Sequence, residues 1–281
     1  MSIQRFRPEI WSARLLVALR QNLVYAAFIN RDYEGEIADA GDTVRITSIG
    51  RPTISTYVPN STVITPQQVQ DSQRTLVVDQ ADYFAFMVDD VDARQAKGNV
   101  ISQAMDEAAF AEANKIDLYL SSFYTSIQLQ NQLGAVNVSR ATPSQAYDNV
   151  LVPLKVKLDQ ANVPTQGRTI AISPDLHGLF LRDNRFVANA ANNISSALLT
   201  GQVGMAAGFN IVLSNQTPTT GTDSVVIGGN DRAITFAEQI SKVEPYRPQN
   251  TFADAIKGLF LYGAKVVRPD SLASALVTVT A

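Results

Sequence analysis

Apolar residues recur every three or four positions between residues 91 and 125, where Ile101, Met105, Ala109, Ala113, Ile116, Leu120 and Phe123 form one stripe. That period predicts an amphipathic helix. If continuous, its 35 positions would span about 50 Å at 1.5 Å per residue, a spine rather than a core helix. Phe110 lies off the stripe, where it can meet a neighbour. Asp89, Asp90 and Asp92 precede the helix, where carboxylates suit the positive end of its dipole, so this acidic group reads as a helix start rather than a metal site. Gly98 is expected to weaken the first turn by about 1 kcal/mol relative to alanine.

The period changes upstream. Thr43–Ile49 (TVRITSI) alternates and is rich in β-branched residues, and residues 74–88 (RTLVVDQADYFAFMV) are its natural partner, so the two predict the base of a hairpin. Between them, residues 50–73 are polar, contain Pro52, Pro59 and Pro66, and carry charge only at Arg51 and Asp71. Two limbs of about twelve residues reach roughly 40 Å at ~3.3 Å per residue. An isolated two-stranded hairpin is marginal in water, so this arm needs an outside surface to cover it. Ile54, Tyr57, Val58, Val63, Ile64 and Val69 give it apolar groups to bury there.

The first thirty residues place Trp11, Leu15, Leu19, Leu23 and Ala26 at helical spacing among Arg5, Arg7, Arg14, Arg20 and Arg31, an arginine-bearing amphipathic arm. Residues 32–42 reverse the sign with Asp32, Glu34, Glu36, Asp39 and Asp42; the two blocks read as solvated faces or as a means of steering neighbours into register. Downstream, Thr142-Pro143-Ser144-Gln145 has the side chains of a capping box and predicts a helix to about Ala161. Residues 168–173 predict a strand, Ser173-Pro174-Asp175 a short helix, and the small, glycine-punctuated residues 189–208 a loop or short helix at a tip where subunits meet. Strands follow at 211–213, 224–227 and 233–236. Residues 242–245 and 251–267 predict paired strands that complete a sheet begun near residue 75, making the mixed α/β unit an insertion.

Composition narrows the function. The 281 residues are 46% hydrophobic and 17% charged, a folded protein with few groups to solvate an isolated surface. A net charge of -3 and a pI near 5.2 lack the basic footprint of sequence-specific nucleic-acid binding and leave only non-specific contact with nucleic acid. The absence of cysteine excludes disulfides, thiolate metal sites and cysteine nucleophiles. Residues 13–29 are interrupted by Arg14, Arg20, Gln21 and Asn22, too soon for a membrane span or a signal peptide. His177 is the single histidine and has no G-x-S-x-G partner; a structural role is expected. Gly228-Gly229 and Gly201-Gln202-Val203-Gly204 lack the spacing and lysine of a phosphate loop and read as turns. No catalytic residue, cofactor or metal site is expected.

In their order, these parts resemble the major capsid proteins of tailed bacteriophages, with the Hong Kong 97-type fold shared by encapsulins. The carrying residues are Asp89-Asp90-Val91-Asp92 with Gln95, the alanine-rich run ending in Ile116-Asp117, and Gly263-Ala264-Lys265-Val266-Val267-Arg268-Pro269. The resemblance implies an α+β fold: an amino-terminal arm (1–42), an extended β-hairpin loop (43–90), a peripheral domain on the spine helix (91–142), an axial α/β domain (143–240) and closing peripheral strands (241–281). It implies an icosahedral shell of pentamers and hexamers around double-stranded DNA, assembled in the host bacterial cytoplasm. Portal and decoration proteins are its expected companions. Relatives that weld the shell through a loop lysine set no precedent here, because no lysine precedes Lys97. The chain opens directly at the arm, so a separate scaffolding protein is expected.

The mechanism expected is multivalent association, in which arm and loop lie across neighbours and many modest contacts sum. Trp11, Arg51, Tyr57, Ile64 and Arg74 are the expected inter-subunit contacts. Two other readings stay open on residues alone: an encapsulin-type compartment, separated by its cargo, and a soluble α/β hydrolase with a long lid, separated by substrate turnover that depends on His177.

Overall fold

The computed structural model describes residues 23–31, 43–49, 54–57, 59, 71–89, 100–187, 204–249 and 253–280. The first element among the described residues is a 3-10 turn, Tyr25–Phe28, followed by β1 (Ile29–Asn30), β2 (Thr43–Ile49), β3 (Asp71–Val77), β4 (Gln80–Asp89) and helix α1 (Val100–Ser121). After 3-10 turns come β5 (Gln132–Ser139), a π-helical segment Ala146–Leu151, α2 (Val152–Gln160), β6 (Arg168–Ile172), α3 (Pro174–Arg182) and α4 (Asn184–Val187). Among the described residues there follow strands β7 (Met205–Ala206), β8 (Phe209–Leu213), β9 (Thr219–Thr220), β10 (Asp223–Asn230), β11 (Ile234–Tyr246), β12 (Ala253–Val266) and, after the 3-10 turn Pro269–Ser271, β13 (Leu272–Thr280).

Helix α1 follows from its stripe. Met105, Ala109, Ala113, Ile116 and Leu120 are buried, and the small alanines let the helix lie close on the four-stranded sheet ordered β1-β11-β12-β4. Its 22 residues span about 33 Å; the expected first turns, residues 91–99, lie outside the described residues, and Phe123 falls in the 3-10 turn Ser122–Ser126 that ends the helix. Aromatic rings fill the space between helix and sheet. Tyr119 meets Tyr262 edge-on at 5.5 Å between centroids, and Phe84 meets Phe260 at 6.0 Å, pairs worth about 0.5–1.5 kcal/mol each beyond their buried area.

The expected strand over 74–88 is two strands. β3 pairs antiparallel with β2, from Thr43↔Val77 to Ile49↔Asp71, whereas β4 pairs with β12, from Ala253↔Asp89 to Tyr262↔Gln80. The switch occurs at Val78 and Asp79, where the chain passes over Gly263. A Cβ there would sit 2.9 Å from Val78 Cα and closer still to the Val77 carbonyl, so only glycine fits. Ile46 and Leu76 seat the hairpin base on Ala237, beside Val267.

The larger sheet is ordered β5-β13-β10-β6-β8-β7, with β9 on β10. It is mixed: β6 runs antiparallel to β10 and parallel to β8, and β5 runs parallel to β13. Leu154, Leu158, Leu176, Leu179 and Phe180 from α2 and α3 cluster with Ile170, Ile172, Val226, Ala273 and Val277 of its strands. Buried Arg168 is held by Asp159 at 2.6 Å and by the carbonyls of Val163 and Pro164 at 2.6 and 2.9 Å.

Two expectations are corrected here. The capping box does not form: Gln145 Oε1 accepts the Ser139 N–H at 3.0 Å, and the helix opens with the π-helical segment. Pro153, which has no N–H to give its i−4 carbonyl, lies just beyond that segment, where the wider turn accommodates it. The closing strands also divide. β12 joins β4 as expected, but the 3-10 turn Pro269–Ser271 redirects the chain, and β13 enters the larger sheet between β5 and β10 instead of the smaller one.

Candidate inter-subunit surface

Strand β4 has an unusual pattern. Its even positions Phe84 and Phe86 face the core under α1, which leaves Tyr83, Ala85 and Met87 on the opposite face. A strand apolar on both faces ordinarily belongs to a sheet covered on both. Here one face is open: Tyr83 is 80% and Met87 64% exposed. β4 is moreover an edge of its sheet among the described residues.

The register extends this patch across three strands. Tyr83 lies opposite Leu259, Ala85 opposite Lys257, and Met87 opposite Ala255; on the other side of β12, Lys257 pairs with Glu244 and Ala255 with Tyr246. Tyr83, Glu244, Tyr246, Lys257 and Leu259 enclose a hollow of about 440 Å³. The ion pair Lys257 to Glu244 at 3.2 Å crosses its middle, and the Lys257 ammonium stands 5.5 Å from the Tyr246 ring centroid. The patch is therefore apolar at its ends and polar at its centre. These residues fall in the stretch 74–88 expected as the base of the hairpin; the alternation of two apolar sets over residues 83–87 is the signal for a second covered face.

Of the expected contact residues, Trp11, Arg51 and Ile64 lie outside the described residues. Tyr57 stands 61% exposed, next to Ile54 at 95%. Arg74 is turned inward, with Nη1 donating to the Val266 carbonyl at 2.7 Å, so it ties the hairpin base to β12. Phe110 and Leu118 are exposed on the outer side of α1.

The root of the amino-terminal arm is anchored from below. Asp117, buried on α1, accepts the backbone N–H groups of Val24 and Tyr25 at 3.0 Å each. Burial pushes its carboxyl up to about 6 against the help of those two donors. Arg31 pairs with Glu238 of β11, and its guanidinium lies 5.3 Å from the Phe236 ring centroid. At the root of the expected tip loop, whose residues 189–203 lie outside the described set, Arg185 joins Asp183 and Asp148 at 2.8 Å each and the Ser144 carbonyl at 2.9 Å. It also stacks on Tyr147 at 4.9 Å.

His177 is half-buried on α3, and burial holds its imidazole below the ordinary value. The neighbouring Ser173 hydroxyl turns to Ser224 at 3.3 Å, so the geometry offers no serine–histidine pair there. Among the described residues no cluster of three or more acidic or histidine side chains could hold a metal, and no helix is long and apolar enough to cross a membrane.

Comparison with known proteins places this arrangement. A family model described as phage capsid protein matches residues 70–275. Among solved structures, Mycobacterium phage Che8 superposes with a TM-score of 0.72 at 26% identity, covering 90% of each chain. The capsid of cyanophage P-SCSP1u gives 0.67 at 18%, over 87% of this chain and 85% of that one. A virus-like particle from Pyrococcus furiosus shares the fold at 0.60 and 12%, over 97% and 100%. No match was found among curated proteins. With the spine helix and most strands of the two larger sheets inside the matched region, the chain belongs to the phage capsid protein family.

Proposed function

We propose that this chain is the major subunit of an icosahedral shell that encloses the double-stranded DNA of a tailed bacteriophage. Neither the compartment reading nor the hydrolase reading is favoured beside the family match. The observation that carries the proposal is the bare apolar face of β4 and β12, built as though it were to be covered. Copies of the chain, grouped in pentamers and hexamers, supply the cover. Trp11, Arg51, Tyr57 and Ile64 act between subunits, joined by Tyr83, Met87 and Leu259, while Arg74 sets the direction in which the loop leaves its own subunit.

In this reading, residues 1–42 form an arm, 43–90 a reaching loop whose last strand, β4, returns into the peripheral sheet, 91–142 and 241–281 most of a peripheral domain, and 143–240 an axial domain that shares β13. Individual contacts in the micromolar to millimolar range, about 8 to 4 kcal/mol, permit correction during assembly, and their number makes the shell stable. Scaffolding, portal and decoration proteins are further partners, assembly takes place in the host bacterial cytoplasm, and packaged DNA is touched without sequence preference. Negative-stain electron microscopy of the purified protein tests this directly. Closed shells of uniform diameter are expected; a protein that stays monomeric under all assembly conditions would overturn the proposal.

A further inference from the structure

Glu112 lies on the buried side of α1 and is 8% exposed, yet its Oε1 has no hydrogen-bond partner. Opposite, on β4, Asp82 receives the Tyr262 hydroxyl on Oδ2 at 2.7 Å and the Lys115 ammonium on Oδ1. The Lys115 ammonium is thus bonded to Asp82 and acts on Glu112 through its charge alone, beside a core that includes Met105, Ala109, Phe84 and Phe260. The titratable groups around Glu112 are Asp82 from β4, Tyr262 from β12, and Lys115 and Tyr119 from its own helix. Asp82 and Tyr262 satisfy one another here, whereas no donor reaches Glu112 Oε1, a burial that costs least when the carboxyl is neutral.

From this arrangement we propose that Glu112 is a proton-operated latch between the spine helix and the four-stranded sheet, closed when the carboxyl is neutral and loosened when it ionises. An ionised carboxylate with an unpaired oxygen in a nearly dry seam carries a desolvation penalty that the neutral acid escapes. Burial first, and the charge of Asp82 second, push the Glu112 carboxyl up to about 7, with Lys115 offsetting part of the rise. When the seam opens, the same group titrates near the ordinary value of about 4.3. The closed state therefore binds the proton more tightly. Closure is most favoured below the ordinary value, weakens by up to about tenfold per pH unit as pH rises toward 7, and changes no further above it. The latch is a property of the single chain and stands whether or not shells form.

Hydrogen exchange on the full-length protein, corrected for the intrinsic pH dependence of exchange and followed from pH 5 to 8.5, reads it. The expected result is that amides of α1 lose protection relative to β6 and β10 as pH rises toward 7, whereas Glu112→Gln shows no such loss. Asp82→Asn removes the like charge and moves the midpoint to lower pH; Lys115→Met removes the compensating cation and moves it higher. These opposite shifts keep the test decisive even if Glu112→Gln fails to fold. Protection of α1 that is independent of pH in the wild type, a Glu112→Gln variant that tracks the wild type, or midpoints that fail to separate in those directions would each overturn the latch.

Discussion

The side chain of Asp117, near the carboxy-terminal end of the spine helix, receives the backbone N–H of Tyr25 at 3.0 Å, and its second oxygen receives that of Val24 at the same distance. One carboxylate thereby fixes where the amino-terminal segment leaves the body of the subunit. Asp117→Ala leaves one buried and one half-buried donor unpaired, at about 1–3 kcal/mol each when fully buried, so a loss of about 2–4 kcal/mol is expected in denaturant unfolding. Asp117→Asn keeps an acceptor and should cost less.

The same residue sets a pH dependence of known sign. Its folded-state carboxyl titrates near 6, above the ordinary 3.8, so the folded state binds the proton more tightly than the unfolded one. Stability from this group is present below about pH 4 and lost as pH climbs to about 6. Unfolding free energies measured between pH 4 and 6 should decline in the wild type and decline less in Asp117→Asn.

Gly263→Ala tests the strand switch. The added methyl would press on the Val77 carbonyl and Val78 Cα, and backbone cannot rotate away as a side chain can. A loss of about 2 kcal/mol or more is expected, and calorimetry of the variant subunit would measure it. Wild-type stability would show that the crossing of β3 into β4 is not held by that close approach.

Tyr83→Ser combined with Met87→Ser separates folding from assembly. Both side chains are largely exposed in the single chain, so subunit stability should stay within about 0.5 kcal/mol, while sedimentation should show assembly strongly reduced. Unimpaired shells would remove the outer face of β4 from the interface.

The reach of the loop can be tested without disturbing its base. Ile49 pairs with Asp71, so replacing residues 50–70 by an Asn-Gly turn closes a two-residue hairpin in register. The variant should fold, as judged by circular dichroism, and should not close shells.

Much of this fold is legible in the chain itself. The stripe of Met105, Ala109, Ala113, Ile116 and Leu120 identifies the spine helix because a period of 3.6 has one physical meaning at that length. Thr43–Ile49 likewise pairs with residues 74–77 of the expected stretch, and the ladder runs three residues beyond it to Asp71. What a linear reading does not carry is choice among distant partners. Residues 74–88 look like one strand because the reason for their division, the missing side chain of Gly263, lies far along the sequence. Leu272–Thr280 is buried on both faces near its start, and such a run announces a strand without naming its sheet. For the contact surface, exposure of Tyr57 could be expected from its polar surroundings, but the inward hydrogen bond of Arg74 required the position of the Val266 carbonyl. Tyr83 and Met87 escaped notice because apolar residues on both faces of a strand resemble an interior one.

The place of β13 also governs timing. It is made after every other described strand, yet it lies between β5 and β10, and both of its pairings wait for it. A nascent chain halted before residue 272 would leave those two strands unjoined, with Val225, Val226 and Ile227 lacking their partners across the ladder. Ribosomes that release prematurely would thus yield products with no finished body to offer a growing lattice, and incorporation would be confined to polypeptides translated through that final strand.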